Sequence, residues 1–505
     1  MQSFLQKHAE KISAVLSGFD RVILRGYLPF CHARALEGFL NHHDVLLKDF
    51  KTFAPAQAQR LLDHAKAVAQ QAGRPFQHLA KRTRKEELAR QFMQRDGVNA
   101  GLVVVFSTLE TCRTFRVIYG QGRPRLKADY RRCQVIYYYY LDPDFGLMHL
   151  KLQTWFPFTL QVYVNGHEWL ARRLTRQGVP YERLDNAFVS LPNAAAAQQA
   201  ARQFVRQNWP RRLHRLARQI NPLFADLCKG LEYYWVVDQA EYATDVLFAN
   251  RQALADLYPR LLQHATLCLS AEDVLRFLGR KLTGCFAGEV LNNCKKRWPG
   301  ARVKHQMKQN WIKMYDKHGL VLRIETVINN PYEFRVRRWG QRRGQRVYDW
   351  LPLRKGVSNL WRYAEVSLQA NSRYLEALAV VAGPPPEAQQ VERVCEPIQK
   401  AGRRRRGLNP LRRAEQALFA VVLRGEFAVR GFRNRDVAKH LYKGRARDVA
   451  ERQRRCACVS RQLALLRAHG LIAKFPRSRR YRITTKGQII MSAARRFRQA
   501  TDTFC

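Results

Sequence analysis

The stretch NWIKMYDKHGLVLRIETVINN, Asn310–Asn330, alternates apolar and polar residues on either side of His318-Gly319. Period-two alternation marks a half-buried strand, and a glycine-containing break between two such runs marks a hairpin, here over 311–328. Its turn length decides which side chains share a face. A two-residue turn sets Asp316 opposite Val321 and Ile312 opposite Glu325. Asp316, Arg323 and Glu325 then form an ion-pair ladder on one face, and Tyr315 points away. A three-residue turn shifts the pairing by one and brings Tyr315 to the face of Arg323 and Glu325. Two chemistries stay open. The charges pair with one another, or the two carboxylates, with the tyrosine and arginine near them, form a metal-assisted strand-cutting site.

The surrounding chain has 505 residues, with 89 Lys and Arg against 40 Asp and Glu, a formal charge of +49. Its length suggests about three domains, and a hydrophobic share of 46% excludes wholesale disorder. So large a surplus strains a compact fold by self-repulsion and favours a polyanionic partner, nucleic acid first. An anionic membrane surface fits less well, because the basic residues do not gather on one amphipathic helix. No apolar run reaches the roughly 18–20 residues of a membrane helix, and MQSFLQKHAEKIS lacks a signal-peptide core. The expectation is a cytoplasmic protein, nucleoid-associated if it binds DNA. Eleven scattered cysteines without a CxxC pair argue for packed thiols rather than disulfides or zinc.

The pattern predicts an α+β multidomain protein with a mostly antiparallel sheet. An N-terminal domain covers 1–230, a central region 231–381, a Pro/Arg-rich linker 382–407 and a domain of helices with a basic hairpin 408–505. In the first, GLVVVFSTLE, TFRVIYG, CQVIYYYYL, LMHLKLQTWF and TLQVYVNG read as strands, and LDPDFG as a hairpin turn. Asn165 caps the helix GHEWLARRLTRQG, which Gly178 stops. The run Tyr137–Tyr140 sends two rings into the core and two outward. The preceding loop, GQGRPRLKADYRR, supplies Arg123, Arg125, Lys127, Arg131 and Arg132. Cations beside outward rings are how single strands are gripped. Asp20 and Glu110, each beside a strand, are further candidate metal carboxylates, and Lys304, His305 and Lys308 candidate phosphate contacts. His149 has Lys151, not a second histidine, two residues on, so it reads as structural. There is no GxxxxGK[ST], HExxH or GxSxG, hence no sign of a nucleotide or organic cofactor.

From residue 401 onward, 28 Lys and Arg face only 6 Asp and Glu. Arg403, Arg404, Arg405 and Arg406 open this region. Helices are predicted over RRAEQALFAVVL, over FRNRDVAKHLY capped by Asn434, and over ARDVAERQRRCACVSRQLALLRAHG, whose Val459, Leu463 and Leu466 keep helical spacing. Strands LIAKF and YRITT, joined by PRSRR, come before a closing helix. The segment VSRQLALLRAHGLIAKFPRSRRYRITTKG resembles winged helix-turn-helix DNA-binding domains of the MarR-like kind. That resemblance implies a recognition helix in the major groove, presenting Arg454, Arg455 and Arg461, and a wing on phosphates, presenting Arg477, Arg479 and Arg480.

The hairpin itself, IKMYDK followed by VLRIETVIN, resembles a strand pair in replication initiators of rolling-circle plasmids and filamentous phages. The resemblance implies nicking by Tyr315 with a divalent metal on Asp316 and Glu325, and it extends to Lys317 and Arg323. The chain also looks like a group of bacterial proteins sharing LQTWFPF, NGHEWLAR and GFRNRD, which implies no particular activity. The expected function is nucleic-acid binding, with DNA the partner, in a mobile-element setting and with metal-dependent nicking. A non-catalytic RNA-binding component of a ribonucleoprotein and a transcription regulator are the alternatives.

Overall fold

The computed structural model describes the chain except residues 81–82, 121–122, 281–287, 298–299, 343, 382–392, 401, 411, 443, 445, 477 and 503–505. The fold is mixed α/β and its strands pair mostly antiparallel. In chain order they are β1 (Ile12–Tyr27), β2 (Phe76–Leu79), β3 (Gly101–Ile118), β4 (Arg125–Asp142), β5 (Gly146–Gln153), β6 (Leu160–Asn165), β7 (Glu182–Leu184), β8 (Ala187–Ser190), β9 (Tyr234–Phe248), β10 (Val290–Arg297), β11 (Gly300–Met307), β12 (Asn310–Lys317), β13 (Val321–Ile328), β14 (Arg335–Arg342) and β15 (Gln345–Pro352). Two compact units gather these strands. One comprises 16–244 and 327–368, the other 1–15, 245–326 and 369–505. Each joins segments far apart in sequence, a grouping that no local composition shift announces.

In the first unit the strand order is β1-β6-β5-β4-β3-β2, with β9 on the other side of β1. The β1–β6, β5–β6, β4–β5 and β3–β4 pairs are antiparallel, and β2 joins β3 in parallel. The centre of β1, Leu16 to Asp20, is buried on both faces, so its side chains do not alternate in polarity. The two strands read separately as GLVVVFSTLE and TFRVIYG are one, the 18-residue β3. Its partner β4 includes most of the basic segment read as a loop. Arg125, Lys127, Arg131 and Arg132 therefore stand exposed on a strand. Tyr137, Tyr138 and Tyr139 are buried and Tyr140 is half-buried, so no pair of outward stacking rings exists there. The helix Lys85–Arg95 covers that face of the sheet with Ala89 and Phe92 against Phe106, Tyr137 and Tyr139. His149 is also packed, its ring stacked at 5° and 4.9 Å on Tyr163.

In the second unit the order is β10-β11-β12-β13, followed by the end of β9 from Asp245 on. Strands β12 and β13 leave His318, Gly319 and Leu320 between them, a three-residue connection. His318 and Gly319 sit at φ 58° and 72°, a region that glycine enters freely and histidine at some cost. Ile312, Met314, Leu322 and Ile324 enter a core with Leu254, Leu257, Leu261, Tyr374 and Leu375, the first three from the helix Arg251–Leu267. Arg323 faces the other way and is fully buried. Its Nε and Nη2 donate to Asp245 Oδ1 and Oδ2, both at 2.7 Å. His305 is buried as well, between Asn292 and Tyr374. It is therefore not a phosphate contact.

Beyond residue 393 this unit has a further core of its own, built from Leu418, Phe419, Val459, Leu463, Leu466 and Ile490. The helices are Arg413–Val422, Gly425–Arg430, Asn434–Leu441, Val449–Ala468 and Thr485–Asp502. A short hairpin, Ile472–Lys474 with Tyr481–Ile483, lies between the last two, and Phe432 adds a bridge to Tyr481. The predicted linker lies outside the described residues over 382–392, but Ile398–Lys400 and Arg403–Arg405 pair as strands. Asn434 is not a cap. Its side-chain amide donates to Ser460 Oγ and Cys456 O, tying its helix to Val449–Ala468.

Two measurements follow. Asp245→Ala strands a buried guanidinium and lowers the unfolding free energy by about 3–5 kcal/mol in urea titration, most of which is recovered on also replacing Arg323 by Met. A loss near zero would mean that water reaches the pair. Burial pulls the His305 pKa down to about 4. The unfolded imidazole protonates near 6.5, so between these values the unfolded state binds more protons and stability falls with falling pH. His305→Gln flattens that decline by up to about 1.4 kcal/mol per pH unit.

Candidate functional site

The three-residue turn selects the second of the two hairpin registers. On the face opposite the core, Glu325 Oε2 accepts hydrogen bonds from Lys313 Nζ at 2.9 Å and Tyr315 Oη at 3.0 Å. Glu325 is 1% exposed, and its Oε1 is buried with no hydrogen-bond partner among the described residues. Tyr315 and Glu325 are thus brought together. Asp316 is not brought to them. Strand alternation turns it to the opposite face, where its Oδ1 accepts the Gly319 N–H at 2.9 Å and stabilises the turn. Burial pushes its carboxyl above the ordinary range. The Asp–Arg–Glu ladder of the two-residue register does not form, since Asp316 lies on the other face, and Arg323 is engaged by Asp245, a residue 78 positions away.

A second constellation lies in the other unit, on β1 and β9. Asp20 and Glu241 are both buried, and carboxylate oxygens of the two lie within 4.8 Å. Asn186 Nδ2 donates to Asp20 Oδ1 at 2.6 Å, and His167 Nδ1 stands 3.3 Å from the same oxygen. Gln239 Nε2 donates to Glu241 Oε1 at 2.8 Å, with Arg21 Nε 3.9 Å from Oε2. His167 is placed by the start of the helix Gly166–Arg176. Asn165 caps that helix through its side-chain oxygen, which accepts the Glu168 N–H at 2.9 Å. Gly166 presses directly on β1, where a Cβ would meet the Phe19 carbonyl oxygen at 2.1 Å. Only glycine lets the helix approach closely enough to set His167 beside Asp20. Two buried carboxylates beside an imidazole and an amide are oxygen and nitrogen donors of the kind that hold Mg²⁺ or Mn²⁺.

Of the two acids singled out beside strands, Asp20 belongs to this constellation and Glu110 does not. Glu110 accepts from Lys151, Lys85 and Tyr137 at 2.7, 3.2 and 2.7 Å. Burial works to raise its pKa, but the Lys151 and Tyr137 hydrogen bonds prevail and hold it low. Sequence reasoning missed Glu241, His167 and Asn186. They carry no motif and lie 221, 147 and 166 positions from Asp20. The one available signal was that NGHEW follows a strand with a capping asparagine.

The cationic candidates divide. Arg454, Arg461 and Arg479 are exposed and Arg480 half-exposed, while Arg477 lies outside the described residues. Arg455 instead braces its own helix, pairing with Glu451 at 2.7 Å and lying 5.0 Å over the Tyr442 ring. Arg404 is exposed, Arg405 half-exposed, and Arg406 pairs with Glu415 at 2.6 Å. Arg403 lies on the strand beside them. Arg123, Arg125, Lys127, Arg131 and Arg132 are exposed on the β3–β4 hairpin, and Arg131 pairs with Asp129. Lys304 lies 3.9 Å over the Trp311 ring. Exposed Arg211, Arg215 and Arg218 follow helical spacing along Trp209–Ile220, a basic stripe not singled out in the sequence.

Comparison with protein-family models, curated proteins and solved structures gives no match. No helix among the described residues is long and apolar enough to cross a membrane.

Gly166→Ala forces the helix off β1 and destabilises the protein by about 1–3 kcal/mol in chemical denaturation. A neutral result would show that the helix start tolerates displacement and that His167 is not held by it.

Proposed function

We propose that this chain binds nucleic acid and cuts its phosphodiester backbone with the help of a divalent cation. The observation that carries the reading is the buried Asp20–Glu241 pair with His167 and Asn186 around it. Two carboxylates this close repel each other when ionised, and a cation between them removes that cost. Mg²⁺ or Mn²⁺ held there would polarise a phosphoryl oxygen and lower the pKa of water. The chain's own residues orient the carboxylates: Asn186 by a hydrogen bond, His167 by its place on the capped helix, Gln239 on Glu241. The polymer is supplied by the charge. A surplus of 49 cations, exposed along β3–β4, along Trp209–Ile220 and on the C-terminal helices, suits a polyphosphate.

The arrangement of helices and hairpin after residue 412 supports reading that region as a winged helix that docks DNA, with Arg454, Arg461, Arg479 and Arg480 toward it. DNA rather than structured RNA is the partner in this reading, and a mobile element its setting. One specific observation favours a second chemistry, nicking by a tyrosine. Tyr315 Oη donates to Glu325 Oε2, the arrangement of a nucleophile beside its general base. Attack by that phenol on phosphorus would leave a phosphotyrosine link and free a hydroxyl-ended strand.

Supercoiled plasmid incubated with the protein and Mg²⁺ or Mn²⁺ tests both. Nicking that needs the cation, falls by about a hundredfold or more in Asp20→Asn and Glu241→Gln, and persists in Tyr315→Phe supports metal-assisted hydrolysis. Loss in Tyr315→Phe, with labelled DNA left on the denatured wild-type protein, supports the tyrosine instead. Activity that survives all three substitutions removes both sites.

A further inference from the structure

Among the described residues β14 and β15 pair only with each other, Arg335–Arg342 against Gln345–Pro352. In this two-stranded ribbon, directly opposed residues share a face. Arg337 stands opposite Trp350, Trp339 opposite Tyr348, and Gln341 opposite Arg346. All six are exposed, as is Arg335, and the three rings are 55%, 55% and 52% exposed for Trp339, Tyr348 and Trp350. The opposite face is the buried one, with Val336 covered and Val347 and Leu351 half-covered. The ribbon therefore turns its aliphatic side inward and its aromatic side out.

The outward rings carry cations at their sides. The Arg346 guanidinium lies 4.9 Å from the Trp339 centroid, and the Arg337 guanidinium 5.9 Å from that of Trp350. Trp339 and Tyr348 lie 5.4 Å apart, centroid to centroid. A cross-strand aromatic pair strengthens a hairpin, which accounts for Trp339 with Tyr348. It does not account for the third ring or for the arginines. Between 335 and 355 there are seven arginines and a lysine against one acid, Asp349. Such a surface fits a polyanion that also offers flat apolar faces. Unpaired bases offer them, whereas a stacked duplex hides them and shows base edges in its grooves.

We propose that the exposed face of the β14–β15 ribbon binds single-stranded nucleic acid. Bases stack on Trp339, Tyr348 and Trp350, and Arg335, Arg337 and Arg346 hold the phosphates between them. This rests on the nucleic-acid reading above and adds to it the strand state that is recognised. In the cutting reaction the ribbon would hold a melted or displaced strand.

The test is fluorescence anisotropy of the full-length protein with labelled oligothymidylate and with a labelled duplex of equal length, at several salt concentrations. Replacing Trp339, Tyr348 and Trp350 together by Ala weakens oligothymidylate binding by about a hundredfold or more, since each base–ring stack contributes about fivefold or more. Duplex binding and the salt dependence of the remaining affinity stay as in wild type. Replacement of the same three by Phe retains most of the affinity, which separates stacking from a folding defect in the Ala variant. Equal loss on oligothymidylate and duplex overturns the proposal in favour of a groove contact. Unchanged binding of both overturns it while leaving the nucleic-acid reading standing. Wild-type protein that binds neither probe, or binds only anionic vesicles, overturns both.

Discussion

Arg323 and Asp245 meet in a fully buried, two-pronged ion pair, and the hairpin that named itself first in the sequence depends on it. Burying a guanidinium is unfavourable unless its donors find a carboxylate in good geometry. That requirement fixes the register. A slip of β13 by one residue would drive Arg323 into the aliphatic layer of Ile312, Met314 and Leu254 and turn Leu322 out of it. The three-residue turn at His318, with Asp316 closing it, satisfies the requirement. Lys313, Tyr315 and Glu325 then fall on the arginine's side of the sheet as a consequence.

The same logic of paired and unpaired charge runs through the rest of the molecule. Many cations are tied down locally: Arg455 by Glu451, Arg406 by Glu415, Lys151 by Glu110. With 40 acids for 89 bases, such pairing cannot be general. The remainder is displayed on elements with a covered face and an open one, the β3–β4 hairpin, the Trp209–Ile220 helix and the β14–β15 ribbon. Acids are correspondingly scarce, so their burial near one another, as with Asp20 and Glu241, stands out from ordinary surface pairing.

Local chemistry was legible at several places where neighbours in sequence are also neighbours in space, though not at Asn434, which does not cap its helix. LDPDFG forms its turn, with Asp142 Oδ1 accepting the Asp144 and Phe145 N–H groups. Asn165 caps and Gly178, at φ 65°, stops the next helix. Val459, Leu463 and Leu466 form the buried stripe of their helix, as their spacing predicts. The tyrosine run misled because both faces of β4 are covered at Tyr137–Tyr139, one of them by the helix Lys85–Arg95. Period two then distributes rings between two interiors rather than between core and solvent. The β14–β15 ribbon escaped notice because arginines dominate its apolar alternation, which makes a strand resemble a charged loop.

The sequence by itself determined the charge, the α+β pattern, the hairpin at 311–328 and, apart from the helix Gly425–Arg430, the succession of helices and strands after residue 412. These depend on composition and on periodicities of two and 3.6, which act over a few residues. Only the tertiary structure decided which carboxylates are buried, which of two hairpin registers holds, and which aromatic faces meet water. Those outcomes depend on contacts between residues up to 221 positions apart, Asp20 with Glu241. No local rule specifies such a contact, because its free energy comes from the desolvation and packing that the whole chain creates together.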